Sequence, residues 1–246
     1  MHVPSRAPRF PLFHLFITTV AILTALAAAP SAVQAESSVV LATYDGVINP
    51  VSAEYLHDAL ASAQEDKAQA LIFRLNTPGG LDTSMRLIIK DITGSTIPVI
   101  VYVWPSSGRA ASAGVFITMA AHVAAMAPGT NIGAAHPVAM GGEKMDEEMK
   151  KKVENDSVAY ITSIAQQRGR NAAWAEDAVR KSVSVTEREA LKLNIIDLVA
   201  DDVPALLKQL DGRTVGLQSG QTVLHTAGTT LRELPMGPRS RWRESP

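Results

Sequence analysis

The stretch ALIFRL (residues 70–75), followed at once by NTPGG (76–80), decides the fold class. Its apolar residues run almost without interruption, as in a strand buried on both faces, and such strands belong to parallel sheets covered by helices. Pro78, Gly79 and Gly80 stop the strand, and a helix is predicted from Asp82 to about Ile92. The alternation continues in both directions. Upstream, SVVLAT (38–43) reads as a strand and Asp45-Gly46 as a turn. Val51 to Gln64 reads as a helix with Val51, Tyr55, Leu56, Ala59, Leu60 and Ala63 on one face. Downstream, VIVYV (99–103) is a third strand and HVAAM (122–126) a short fourth, with a small-residue loop and an apolar segment, Val115–Ala121, between them. Helices are predicted over about Asp146–Arg168 and Ala172–Lys181. Thr186 with Glu189 forms a capping box that opens another, and Ile195–Val199 is expected as the last strand of the sheet. Beyond Asp211 only short hairpin-like pieces are read, such as Thr222–His225. Strand and helix in alternation imply right-handed crossovers and an α/β domain with a mostly parallel sheet and covering helices.

Composition narrows what such a domain does. The chain has 246 residues, 46% hydrophobic and 19% charged, enough for one domain with a sizeable core. Lys plus Arg number 23 and Asp plus Glu 24, a net charge of −1, so no general basic field gathers nucleic acid. There is no cysteine, which excludes disulfide frameworks, thiolate metal sites and cysteine nucleophiles. At the N-terminus Arg6 and Arg9 precede an uncharged run from Leu15 to Ala29, then Pro30 and Val33-Gln34-Ala35. That is the layout of a secretory signal peptide, with cleavage expected after Ala35 and an uncleaved anchor as the alternative. The run is 15 residues long, short of the roughly 20 that a membrane span requires. Its removal leaves 21 basic against 24 acidic residues, a net −3. The expected organisation is a signal segment at 1–35, the α/β domain at 36–236, and a polar, basic tail at 237–246 that is expected to be frayed.

Two turns of small residues fall at the C-terminal ends of predicted parallel strands, the usual place for a site in an open α/β sheet. One is Asn76 to Gly80; the other is Gly108-Arg109-Ala110-Ala111-Ser112-Ala113-Gly114. Glycines let main-chain N–H groups approach a ligand closely, and Ser112 stands near a helix N-terminus, where free N–H groups favour negative charge. A serine hydroxyl between two sets of exposed N–H groups is what acyl transfer needs: the oxygen attacks a carbonyl and the N–H groups hold the oxyanion. The same turns also serve tight helix–sheet packing without any chemistry. Neither continues into Gly-Lys-Ser or Gly-Lys-Thr, so they are not phosphate loops. The histidines give no metal spacing, and His57 and His122 read as structural.

At these residues the sequence resembles the ClpP-class, membrane-associated serine proteases of the NfeD family. The resemblance rests, in order, on Thr77-Pro78-Gly79-Gly80, on Ala110-Ala111-Ser112-Ala113-Gly114 and on APGTNIGAAHP (127–137). Ala159 to Asn171 looks like the family's lysine helix and its exit, and Glu189 to Asp197 like its closing strand region. It covers Ser38 to Met236 and implies a ClpP/crotonase-like fold, no cofactor, a nucleophile at Ser112, oxyanion donors in the N–H groups of Gly80 and Ala113, and a lysine base at Lys152. It also implies a polypeptide substrate, including apolar segments of stomatin-like membrane proteins, and assembly as a homodimer or larger homo-oligomer. Longer members continue from a stretch like Glu233 to Met236 into membrane helices, whereas this sequence stops at Pro246. The resemblance thus implies a soluble protease domain without the membrane part, membrane-associated, and the signal segment places it in the periplasm or another extracytoplasmic space.

The base is the open point. Lys150, Lys151 and Lys152 are consecutive, and successive helix positions point about 100° apart, so at most one faces Ser112. An amine acts as base only where burial penalises its ammonium form. His136, 24 positions after Ser112, resembles the histidine of ClpP-type Ser-His-Asp peptidases and is the alternative base. A triad needs a carboxylate to orient the ring; Val179–Val185, which should supply it, holds Arg180 and Lys181 but no acid, with Asp177 nearby. The sequence therefore reads as a serine endopeptidase with a Ser112–Lys152 dyad. A Ser112–His136 protease and a non-catalytic binding or scaffolding module of the same fold are the alternatives. An acyl-CoA enzyme of crotonase type fits poorly, because no acid pair sits at the turns and export removes the protein from coenzyme A. Arg109 and Trp104 flank the nucleophile turn and are candidates for shaping its pocket.

Overall fold

A computed structural model describes His2 and residues 38–138 and 146–237. By internal contacts the chain divides into Met1–Ala35 and Glu36–Pro246, and every strand and helix described belongs to the second unit. The expected signal segment, His2 apart, and residues 238–246 of the expected tail lie outside the described residues.

The chain runs β1 (Ser38–Asp45), α1 (Pro50–Glu65), β2 (Ala70–Asn76), α2 (Asp82–Gly94), β3 (Val99–Val103), β4 (Arg109–Ala111), α3 (Ala113–Ala120), β5 (Val123–Met126), β6 (Asn131–Gly133), α4 (Glu147–Gln167), α5 (Ala172–Arg180), β7 (Ser184–Thr186), α6 (Glu187–Lys192), β8 (Leu198–Val199), α7 (Val203–Leu210), β9 (Thr214–Leu217), β10 (Gly220–Val223) and β11 (Thr230–Leu234). Local chemistry sets the helix starts. Asn49 and Ser52 form a capping box with Pro50 in the first turn of α1. Asp146 accepts from the Met149 N–H at 2.7 Å to start α4, and Glu147 and Glu148 in its first turn suit the positive end of the dipole. Thr186 and Glu189 cap α6 reciprocally, as their spacing predicts.

Six strands form one all-parallel sheet in the order β11-β1-β2-β3-β5-β8. From β1 to β8 each new strand adds on the same side of the last, so right-handed crossovers put their helices on one face. Val40, Ala42, Leu71, Phe73, Leu75, Val101 and Met126 point into that larger core, where α1 to α5 pack. The chain then returns from β8 to β11 beneath the other face. There Val39, Leu41, Ile72, Ile100, Tyr102 and Ala125 meet Val203, Leu206 and Leu210 of α7 and Val215 of β9. Burial on both faces is the reason β1, β2 and β3 read as unbroken apolar runs.

Two differences from the sequence reading stand out. The strand expected at Ile195–Val199 pairs only over Leu198–Val199; Ile195 and Ile196 are buried at the end of α6, where both N–H groups reach the Ala190 carbonyl. The far edge of the sheet is β11, which pairs parallel with β1. Its TLREL sequence is half exposed at an edge, so it lacks the apolar run that marks the inner strands.

Candidate active site

Three very short strands make a second sheet, β4-β6-β7, that rests on the end of β2. Thr77, just beyond β2, bridges in parallel to Ala110 of β4, and Ala110 pairs with Ile132 of β6. Two residues further along each chain stand Gly79, Ser112 and Ala134. The register therefore brings together the glycine turn, the serine turn and the segment leading to His136. The approach is tight: a Cβ added at Gly79, whose φ is +118°, would lie 2.6 Å from the Ser112 Cβ.

Ser112 is the N-cap of α3 and has φ 53° and ψ −115°, a conformation that a residue with a side chain rarely adopts. Its N–H donates to the Gly133 carbonyl at 3.1 Å, while its hydroxyl makes no capping bond. The side chain is thus turned out of the helix rather than spent on it. The N–H groups of Gly80 and Ala113 donate to no acceptor among the described residues. Gly80 is fixed by its neighbours: the Ile48 N–H donates to the Gly79 carbonyl and the Leu81 N–H to the Ile48 carbonyl, both at 2.8 Å. A side chain at Gly80 would meet the Ile48 carbonyl oxygen at 2.1 Å.

Ser112, Gly80, Ala113 and Ala134 line one cleft of about 1020 Å³, together with Lys152, His136, Val47, Phe116 and Val138. Of the three consecutive lysines only Lys152 borders it; Lys150 pairs with Glu147 at 2.6 Å. The Lys152 side chain is 66% exposed and its ammonium lies 2.9 Å from Glu148. His136 borders the same cleft and is exposed. Its Nδ1 faces the Val179 carbonyl oxygen at 3.0 Å, the place where a triad would set a carboxylate. Asp177 is engaged with Lys181 at 2.9 Å. Trp104 and Arg109 lie outside the lining: Trp104 stacks beneath the Arg74 guanidinium at 4.7 Å, and the Arg109 N–H donates to the Asn76 side chain. Among the described residues no group of His, Asp or Glu is placed to hold a metal ion, and no helix is long and apolar enough to cross a membrane.

Residues 40–215 match the family described as NfeD1b, N-terminal domain. The chain belongs to this NfeD1b N-terminal domain family. It is 41% identical over 184 residues to the membrane-bound protease PH1510 of Pyrococcus horikoshii, a match that covers 74% of this chain and 42% of that protein. It is 33% identical over 149 residues to the membrane protein NfeD1b of Bacillus subtilis, covering 61% of this chain and 32% of the relative. The chain thus spans less than half the length of either. Among solved structures, a serine-to-alanine mutant of the 1510-N membrane-bound stomatin-specific protease superposes with a TM-score of 0.76 at 36% identity, covering 81% of this chain and 98% of that one. A lysine-to-alanine mutant of 1510-N in complex with a substrate peptide gives 0.79 at 34% identity, covering 85% and 96%. The ClpP/crotonase-like fold expected for an NfeD1b N-terminal domain is the fold observed.

The wall of the cleft also holds groups that the sequence did not single out. Arg86 of α2 donates to Asp82 at 2.8 Å and to Asp156 of α4 at 2.5 Å, and its guanidinium covers the Tyr160 ring at 4.2 Å. Burial opposes the Arg86 charge, but the bond to Asp82 and both carboxylates together raise its pKa. Burial likewise pushes the Tyr160 phenol up, against the pull of Arg86. Arg180 of α5 holds α4 from the other side through Glu154 at 2.8 Å. Asp82 and Arg86 sit four apart, a helical pairing visible in sequence; Arg86 and Asp156 are 70 positions apart, and no sequence pattern links them.

Proposed function

We propose that this domain is a serine endopeptidase that hydrolyses peptide bonds of membrane-associated proteins. The Ser112 oxygen attacks the scissile carbonyl carbon while the neutral Lys152 amine takes the hydroxyl proton. The Gly80 and Ala113 N–H groups receive the oxyanion. The lysine then gives its proton to the leaving amine; in the second half it deprotonates the water that attacks the acyl-enzyme and returns that proton to the Ser112 oxygen as the ester bond breaks. The observation that carries this reading is Ser112 itself: an uncapped hydroxyl on a rarely populated backbone conformation, beside two main-chain donors that bond to nothing else among the described residues. The residue types support it, since a serine and a lysine were the side chains mutated in the similar 1510-N structures. To serve as base Lys152 must leave Glu148 and give up its proton on the cleft side.

Val47 and Val138 expose apolar surface at this cleft, 53% and 78%. They suit an apolar substrate segment, and the name of the relative directs this to stomatin-like proteins. The same relatives support membrane association; export and a homo-oligomeric assembly belong to the proposal. A second reading has its own observation. With Nδ1–H given to the Val179 carbonyl, His136 keeps Nε2 free to accept a proton in the same cleft.

The test labels the protein with a fluorophosphonate and follows cleavage of a peptide from a stomatin-like apolar segment. Wild type is expected to label and to cleave, and Ser112→Ala to do neither. Absence of both in wild type would leave only the binding-module reading. Lys152→Ala is expected to abolish turnover and His136→Ala to spare it; the reverse result moves the base to His136.

A further inference from the structure

The Gly79–Gly80 peptide carries one of the two proposed oxyanion donors, and its orientation is held from the carbonyl side. A trans peptide is planar, so its C=O and N–H point in opposite directions. The bond between Gly79 and Gly80 is trans, and fixing the Gly79 carbonyl therefore fixes the direction of the Gly80 N–H. Two donors do this. One is the Ile48 N–H, at 2.8 Å. The other is the Thr77 hydroxyl, at 3.1 Å, which at the same time accepts from the Gly79 N–H at 3.0 Å.

Thr77 is well placed for that double contact because its own main chain is already occupied. Its N–H donates to the Arg109 carbonyl at 2.8 Å and its carbonyl accepts from Ala111 at 3.1 Å. The residue is fully buried. Its methyl group faces Gly114 in the first turn of α3, where an added Cβ would lie 2.7 Å away. With the methyl wedged against α3, the hydroxyl is left on the Gly79 side. The three-residue span Thr77–Gly79 thus forms a closed ring of side chain and main chain, tied on one flank to the serine strand β4 and on the other to the Ile48 loop.

From this geometry we infer that Thr77 is a positioning residue. Its hydroxyl locks the Gly79–Gly80 peptide so that the Gly80 N–H is aimed into the cleft beside Ser112 before substrate arrives. The inference rests on the hydrolytic reading above for its consequence in turnover, but the hold itself is a property of the folded main chain. An oxyanion donor that is free to rotate away must be recaptured in every turnover, and the loss falls on the transition state rather than on substrate binding.

The full chain is compared as wild type, Thr77→Val and Thr77→Ser. Valine keeps the methyl against Gly114 and removes the hydroxyl; serine keeps the hydroxyl and removes the methyl. Amide hydrogen exchange at Ile48, whose N–H donates to the Gly79 carbonyl, reads the hold without reference to activity, and kcat and KM on the peptide substrate read its effect. Thr77→Val is expected to speed Ile48 exchange at least roughly tenfold and to lower kcat on the order of 10–100-fold, with KM within about threefold, as when an oxyanion donor is weakened. Thr77→Ser is expected to restore both to within about threefold of wild type. Unchanged Ile48 exchange in Thr77→Val overturns the hold. Unchanged kcat, or a Thr77→Ser enzyme as impaired as Thr77→Val, overturns the positioning role. A wild type that cleaves nothing removes the hydrolytic reading and with it any role in turnover, and the exchange comparison still decides the hold.

Discussion

Ser112 sits at φ 53° and ψ −115°, a region that glycine enters freely and other residues enter at a cost of about 1–3 kcal/mol. Removing its hydroxyl and removing its strain are separable. Ser112→Ala deletes the oxygen and keeps the Cβ that makes the conformation costly. Ser112→Gly deletes both. Glycine gives back about 0.5–1 kcal/mol through the greater freedom of its unfolded chain, so the balance favours Ser112→Gly over Ser112→Ala by roughly 1 kcal/mol. For a domain of this size that is about 2–4 °C in melting temperature. Neither variant has a nucleophile, so activity cannot confuse the comparison. The measurement is equilibrium urea denaturation followed by tryptophan fluorescence, with equal m-values checking that the unfolded states are alike. Ser112→Gly is expected to be the more stable and Ser112→Ala to lie close to wild type. If alanine is instead the more stable by about 0.5–1 kcal/mol, the entropic cost of glycine alone, the turn carries no strain, and Ser112 is an ordinary helix cap that happens to lack a bond.

Two further predictions concern the base of the domain. Arg170 is buried and donates to Asp197 at 2.6 Å as well as to the Met119 and Ala121 carbonyls; Asp197→Ala strands that charge and is expected to cost about 3–5 kcal/mol in urea denaturation. His122 accepts the Val99 N–H at 3.2 Å, and burial, helped by the Arg168 and Arg170 charges, pushes its pKa down to about 3. Because the folded pKa lies below the unfolded value, this contribution is complete above pH ~6.5 and is lost progressively as pH falls toward 3; the loss is on the order of 2 kcal/mol by pH ~4.5. His122→Asn keeps an acceptor without a titrating ring, so its stability is expected to fall less steeply between pH ~6.5 and ~4.5. An identical pH slope in the variant would remove His122 from the account.

Sequence made the large sheet legible because its strands are long and buried on both sides. ALIFRL and VIVYV carry no polar alternation to confuse them, and α1 announces itself by the spacing of Val51, Tyr55, Leu56, Ala59, Leu60 and Ala63; the caps Asn49, Asp146 and Asn171 that start α1, α4 and α5 emerge from the structure. The small sheet was not legible. RAA, NIG and SVT, its three strands, are three residues each, too short for any period to show. They nevertheless place the site, since their register puts Gly79, Ser112 and Ala134 side by side. Ser112 was found through its small-residue neighbours, but its strained backbone could not be, because the strain follows from pairing partners such as Gly133 rather than from local propensity. The Ile48 loop escaped for the same reason: it reaches the glycine turn only after β1 and β2 have paired.

These contrasts explain an asymmetry in the cleft. Ser112, Gly80 and Ala113 are set by main-chain bonds in strands and at a helix start, which admit little adjustment. Lys152 is set by a side chain of four rotatable carbons on the second turn of α4, 66% exposed and paired with Glu148 one turn back. Exposed helical pairs of this kind contribute only about 0.3–0.5 kcal/mol, so little holds the ammonium where it is. The helix beneath it is held more firmly, by its buried face of Val158, Ile161, Ile164 and Ala165, with Arg86 and Arg180 pairing to it at the surface. A peptide entering the cleft past Val47 and Val138 would displace water from around the amine, and desolvation disfavours the charged form of any amine. On the hydrolytic reading, the nucleophile and the oxyanion donors are therefore built into the fold. The base is completed by the substrate, so a side chain that fills the cleft is worth more to turnover than its contact area alone would supply.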